Sequence, residues 1–194
     1  MPPPFVPRRV EDIIFYYYAK LVIAPSSGFK GNYGFIIDTY KRLKSGDIRM
    51  SDYERELLHL ASMPNMCVFC GLISRDCKTS HVVPRSVGVE PGMHNIVYAC
   101  SKCCASKGEK DIVRWWRKDL RKSRDELPRV PVGLFLKIVH ELHTIKFTLK
   151  NPCSELEDLL TALRSKKQGS HYQALVTQGP LPLEASSEER KGER

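Results

Sequence analysis

The first apolar segment runs from Val10 to Ala24 as VEDIIFYYYAKLVIA, broken only by Glu11, Asp12 and Lys20. Its length suits a buried helix, while the β-branched residues and the run Tyr16-Tyr17-Tyr18 leave a strand open. Pro25-Ser26-Ser27-Gly28 ends it. Tyrosines in a row can stack nucleobases, but in so apolar a setting they read as core. A second helix is predicted over about 33–44, closed by Ser45-Gly46, and a third from Ser51, whose Glu54 completes an S-x-x-E capping box.

From Met66 to Lys110 the texture changes. Short apolar runs at 67–69, 81–83 and 96–99 are separated by Gly, Pro and Ser, which fits strands rather than helical periodicity. A helix is predicted from about Cys104 to Lys122, with Ile112, Val113, Trp116 and Leu120 on one side and Arg114, Arg117, Lys118, Arg121 and Lys122 on another. Past Pro128 and Pro131, residues 132–145 read as an amphipathic helix burying Leu134, Phe135, Ile138, Val139, Leu142 and Ile145. A last helix is predicted from Ser154, capped by Glu157 and carrying Leu156, Leu159, Leu160 and Leu163. Beyond about Lys166 the chain turns polar and charged, and disorder is expected.

These patterns divide the 194 residues into an N-terminal helical support region (1–62), a mixed core (63–125), C-terminal helices packed on it (126–166) and a tail (167–194). Charge sharpens the division. Lys and Arg number 31 against 22 Asp and Glu, a formal charge of +9, which favours an anionic partner such as nucleic acid. Residues 61–127 hold +5 of that charge and six of the seven cysteines. The opening MPPPFVPRR does not read as a secretory signal, and Ile13 to Ala24 falls short of the roughly 20 residues that cross a bilayer. A cytoplasmic protein with no membrane partner is expected, and there metal outranks disulfide for the cysteines.

Cys67-x-x-Cys70 and Cys100-x-x-Cys103 form two knuckles with 29 residues between them. Zinc prefers four tetrahedral thiolate or imidazole ligands, and two such turns close a structural site. The intervening stretch is longer than in ordinary zinc ribbons, so it must hold a structural insert. Cys77, Cys104 and Cys153 are spare thiols; the first two can compete as ligands but complete no better-spaced pair.

The insert and its sequel contain His81-Val82-Val83-Pro84, Asn95-Ile96-Val97, Cys100-x-x-Cys103 and Ser106-Lys107-Gly108. Together, over Met66 to Lys110, these resemble the HNH endonucleases, the ββα-metal nuclease fold. The resemblance implies an α+β chain, a zinc-stapled ββα-metal core flanked by N- and C-terminal helices, that hydrolyses phosphodiester bonds in DNA. It implies His81 as general base, since an imidazole of ordinary pKa is substantially neutral at pH 7. It implies Asn95 as the residue that braces the active loop and orients that imidazole.

The family's metal positions fall on Ser80 and Cys104, where Asp or Glu, and Asn or His, are usual. A hydroxyl is a weak ligand and a thiol a soft one, poorly suited to Mg²⁺. Three outcomes stay open. The ion is held through water with help from Glu90, Glu109 or Asp111; a softer metal such as Mn²⁺ or Ni²⁺ is used; or cleavage is lost and binding kept. The same resemblance places Arg85, Lys102, Lys107, Lys110, Arg114, Arg117, Lys118 and Arg121 as candidates near phosphates of double-stranded DNA, contacts that would weaken steeply with salt. His94 is a further ligand candidate, and His140 and His143 flank Glu141 on what reads as the polar side of a helix. The competing functions are a zinc-dependent nucleic-acid-binding module that no longer cuts and a metal-stabilised protein-interaction domain.

Overall fold

The computed structural model describes residues 5–89 and 94–163. The expected disordered tail, the last residues of the C-terminal helical region and Glu90 lie outside the described residues. The first apolar segment is helical: α1 (Val10–Tyr18) continues through a π-helical turn (Ala19–Ile23) into the short α2 (Ala24–Ser26). Tyr18 is buried and its hydroxyl donates to the Met50 carbonyl at 3.1 Å, so this part of the tyrosine run is core. α3 (Tyr33–Ser45) starts where the Asn32 side chain accepts the Phe35 N–H at 3.0 Å and stops at left-handed Gly46. A 3-10 turn (Met50–Tyr53) then leads into α4 (Glu54–Ala61). The predicted Ser51–Glu54 box does not form. Asp52 accepts the Arg49 N–H at 2.8 Å instead, and Glu54 is drawn away to pair with Lys137.

The insert builds an antiparallel pair, β1 (Lys78–His81) and β2 (Ile96–Ala99), with Ser80 opposite Val97 and His81 opposite Ile96. β1 ends where a strand was predicted to begin. Lys78 and Thr79 carry no apolar alternation to betray it, while Val82 and Val83, the apolar residues, lead into Pro84, which has no N–H for a ladder. Residues 67–69 form a turn rather than a strand: the Cys67 N–H donates to Leu72 and the Gly71 N–H returns to Cys67, with Gly71 at φ 75°. Only a glycine adopts that conformation without strain.

The helix predicted over 104–122 is two pieces. α5 (Ser101–Lys107) packs against β1 and ends at Gly108. Asp111 then accepts the Arg114 N–H at 2.9 Å and starts α6 (Ile112–Arg114), which runs on as a π turn (Trp115–Asp119). Trp115 is buried edge-on against Phe69, ring centres 5.1 Å apart, and so ties the second piece to the first knuckle.

α7 (Arg129–Ile145) is the central helix, against which α1, α4 and α6 pack. It begins before residue 132 because Pro131 falls in the first turn, where an N–H has no helical partner anyway. A Cβ at Gly133 would stand 2.7 Å from Leu57 Cδ1, so α4 and α7 meet at a glycine. Leu134, Phe135, Ile138, Val139 and Leu142 are buried as expected; Ile145, in the last turn, is 58% exposed. His143 lies on the buried face, not a polar flank. Its Nε2 donates to the Leu159 carbonyl at 3.0 Å, its Nδ1 meets the Thr148 hydroxyl at 2.7 Å, and burial lowers its pKa to about 4. A 3-10 turn (Leu156–Asp158) and α8 (Leu159–Ala162) close the described chain. Here too the predicted cap fails: Glu157 accepts from Arg117 and Arg124, at 3.1 and 2.9 Å, rather than serving Ser154. No helix among the described residues is long and apolar enough to cross a membrane.

Candidate functional site

The two knuckles meet. The Val68 N–H donates to the Tyr98 carbonyl at 3.0 Å, which fastens the first turn to β2, and Cys100 stands between the end of β2 and the first residue of α5. The sulfurs of Cys67, Cys70, Cys100 and Cys103 consequently lie within 4.8 Å of one another, with Cys70 and Cys100 3.8 Å apart. Four sulfurs in a tetrahedron at zinc–sulfur distances of about 2.3 Å would be separated by about 3.8 Å. This cluster can hold zinc without rearrangement of its turns. Burial raises the Cys67 thiol, but N–H groups of Cys100, Cys70 and Phe69 outweigh it and bring the pKa down to about 7, favouring the ligating thiolate. Cys77, Cys104 and Cys153 stand outside the cluster, which is the only gathering of three or more potential metal-ligating side chains among the described residues.

His81 is the last residue of β1, on the strand against which α5 packs. Its Nε2 accepts from Arg85 Nε at 3.3 Å, so the neutral ring carries its proton on Nδ1. Burial holds its pKa below the ordinary histidine value, Arg85 and Lys107 push in the same direction, and Glu109 opposes them. Asn95 is buried and grips Val83 twice, accepting its N–H at 2.8 Å and donating to its carbonyl at 2.9 Å. The Asn95 carbonyl also receives the Val82 N–H at 3.0 Å. Asn95 therefore braces the loop that follows His81. The ring itself is met by Arg85, which sequence reasoning had placed only against phosphate; the i,i+4 spacing was the available signal.

Ser80 is buried on β1, and the Cys104 thiol on α5 donates to the Ala99 carbonyl at 3.5 Å and to the Lys78 carbonyl at 4.0 Å. Burial raises the Cys104 thiol, which is therefore protonated at neutral pH. A hydroxyl, a protonated thiol and one imidazole do not fit Mg²⁺, which takes carboxylate and water oxygens. Asp111 is buried but engaged with the Arg114 N–H, and Glu109 points to solvent; neither joins Ser80 and Cys104 in a ligand group. His94 is exposed.

The basic residues divide. Lys107 is turned inward, 1% exposed, with no hydrogen-bond partner for its Nζ, and burial lowers its pKa to about 8. It is not available as a surface contact to phosphate. Lys110 pairs with Asp119, Arg114 with Asp111 and the Thr161 hydroxyl, and Arg117 with Glu157. Arg85, Lys102, Lys118 and Arg121 are exposed and have no ion pair among the described residues. Sequence reasoning missed Arg124, which joins Tyr17, Glu155 and Glu157 in one network; nothing local in the sequence marks it. No family model, curated protein or solved structure matches this chain.

Proposed function

We propose that the protein is an HNH-type endonuclease that hydrolyses DNA phosphodiester bonds with His81 as general base. The observation that carries this reading is the placement of His81. His81 ends β1 of a two-stranded sheet backed by α5; the four-cysteine cluster joins that sheet at its other end, where Lys78 pairs with Ala99 next to Cys100, and the loop after His81 is clamped by Asn95. In-line attack by water forms the new P–O bond as the old one breaks; the water proton passes to the imidazole and the departing alkoxide takes a proton from solvent water. Arg85 donates to the ring nitrogen that must take that proton. A phosphate that draws the guanidinium to itself frees the nitrogen, so substrate binding and unmasking of the base are one event. Zinc at the four cysteines serves structure and takes no part in the chemistry.

A second reading, a nucleic-acid-binding module that does not cut, is favoured by one observation: Ser80 and Cys104 do not suit the hard divalent ion that the resemblance implies. Plasmid nicking by zinc-loaded protein, with and without added Mg²⁺, Mn²⁺ or Ni²⁺, separates the two. Cleavage that disappears in a folded His81→Ala variant supports the nuclease. Salt-sensitive binding without cleavage supports the module, and absence of both sinks each.

A further inference from the structure

We infer that the cation of the His81 site is the Lys107 ammonium, and that the chain takes up zinc at its four cysteines and no second divalent ion beside His81. This deepens the hydrolysis reading and depends on it for what the cation serves, not for where it lies. Lys107 is the last residue of α5, three positions after Cys104, and so on the same side of the helix. Its side chain is almost completely buried, and its Nζ has no hydrogen-bond partner. A charge removed from water in that way is heavily penalised unless other charges or dipoles stabilise it. Those acting on it are the carboxylates of Asp111 and Glu109. The Cys104 thiol donates to the Lys78 carbonyl of β1 at 4.0 Å, and Lys107 bears on the His81 ring as a like charge.

The packing of α5 on β1 thus already brings one buried positive charge to the strand that carries His81. A divalent ion placed beside Ser80 and Cys104 would meet that ammonium at short range in a poorly screened interior, where like charges repel strongly. It would gain little in return, because these residues gather into no group of three ligating side chains. A buried ammonium near the strand supplies positive potential to a phosphate at His81 without touching it, and without the reorganisation that water would need. Arg85, exposed and bonded to the ring, contacts the phosphate directly, and Lys107 is the part of the positive field that stays when Arg85 leaves the ring.

The test is uptake of Mn²⁺ by the zinc-loaded full chain, followed by its paramagnetic resonance signal and by broadening of the His81 ring resonances. Wild type is expected to leave Mn²⁺ free and the ring unbroadened. One Mn²⁺ per chain that broadens His81 overturns the inference. Ser80→Asp alone is expected to keep excluding Mn²⁺, because the introduced carboxylate pairs with Lys107. Ser80→Asp combined with Lys107→Met is expected to bind it about tenfold more tightly or better, with Lys107→Arg in place of Met restoring exclusion. Equal uptake by the single and the Met-bearing double variant overturns the inference. The wild-type titration decides whether a second ion binds even where a variant fails to fold, and the paired variants decide whether Lys107 is what keeps it out. Nicking is scored separately: Mn²⁺ exclusion without nicking upholds the cation assignment and removes the nuclease reading, while nicking with stoichiometric Mn²⁺ does the reverse.

Discussion

Replacing Asn95 by alanine tests what holds the loop that follows His81. The carboxamide makes two bonds to Val83, one to its N–H at 2.8 Å and one to its carbonyl at 2.9 Å. Asn95 is 7% exposed and Val83 is fully buried, so the two Val83 groups have no water to fall back on. Each buried polar group left unpaired costs about 1–3 kcal/mol. Two of them sum to about 2–6 kcal/mol, and entry of water into the space vacated by the carboxamide reduces this, so the expected loss is about 2–4 kcal/mol. That is a large share of the roughly 5–15 kcal/mol that stabilises a typical domain. Urea denaturation of zinc-loaded protein, followed by fluorescence of Trp115 against Phe69, measures it. Asn95→Asp gives an internal control. It keeps an acceptor for the Val83 N–H but sets a carboxylate against the Val83 carbonyl, so its deficit should shrink at acid pH, where the protonated oxygen can donate. A loss under about 0.5 kcal/mol in the alanine variant, with the His81 ring shifts unchanged, would refute the clamp.

Removing the metal should unfold the segment from Met66 to Lys110, because binding free energies of structural zinc run to about 10–16 kcal/mol in small peptides; a chelated protein with unaltered circular dichroism and melting temperature would contradict this. Arg85→Ala should raise the His81 titration midpoint, since the guanidinium helps to hold it down; ring-proton NMR reads the shift, and no change or a fall rejects it. His143 is buried with a pKa of about 4 against an unfolded value near 6.5. Its folded pKa is depressed, so the unfolded chain binds the proton first, and stability present above about pH 6.5 is lost as pH falls toward 4, by about 3 kcal/mol. Urea midpoints across that range, with zinc content checked at each pH, measure it; a profile equally steep in a folded His143→Asn variant would assign the loss elsewhere. Finally, four of the eight candidate phosphate contacts are exposed with no ion pair among the described residues, so the slope of log affinity against log salt should be about −4 rather than the −7 of all eight.

The helices α1, α3 and α7 were legible because each buries a continuous stripe and carries its own stop signals: Asn32 and Gly46 bound α3, and Pro131 fits the first turn of α7. The capping boxes were not. Ser51-x-x-Glu54 and Ser154-x-x-Glu157 have the right local spelling, but both glutamates find stronger partners from distant elements, Lys137 in one case and Arg117 with Arg124 in the other. A charge-assisted pair across the fold outcompetes a cap of about 1 kcal/mol. β1 escaped for the opposite reason: Lys78 and Thr79 are exposed, and a strand of four residues paired on one side leaves little apolar pattern to read.

Within the candidate site, the four cysteines were legible because a C-x-x-C spacing fixes two sulfurs in one turn by chain geometry alone. The set of phosphate candidates was not, because grouping Lys107 with Arg114 and Arg117 assumes one unbroken helix. Gly108 and Asp111 interrupt it, and the interruption resets the phase: α6 turns its basic side chains outward to Asp111, Glu157 and solvent, while α5 turns Lys107 in behind β1. Gly108 and Asp111 are of types that end and start helices, yet the expected helix ran through both. What local pattern could not reveal is the consequence for electrostatics, since the inward turn of Lys107 is decided by how α5 packs on the strand bearing Ser80 and His81. One helix break therefore changes both the charge available to a phosphate on the surface and the charge fixed behind the imidazole.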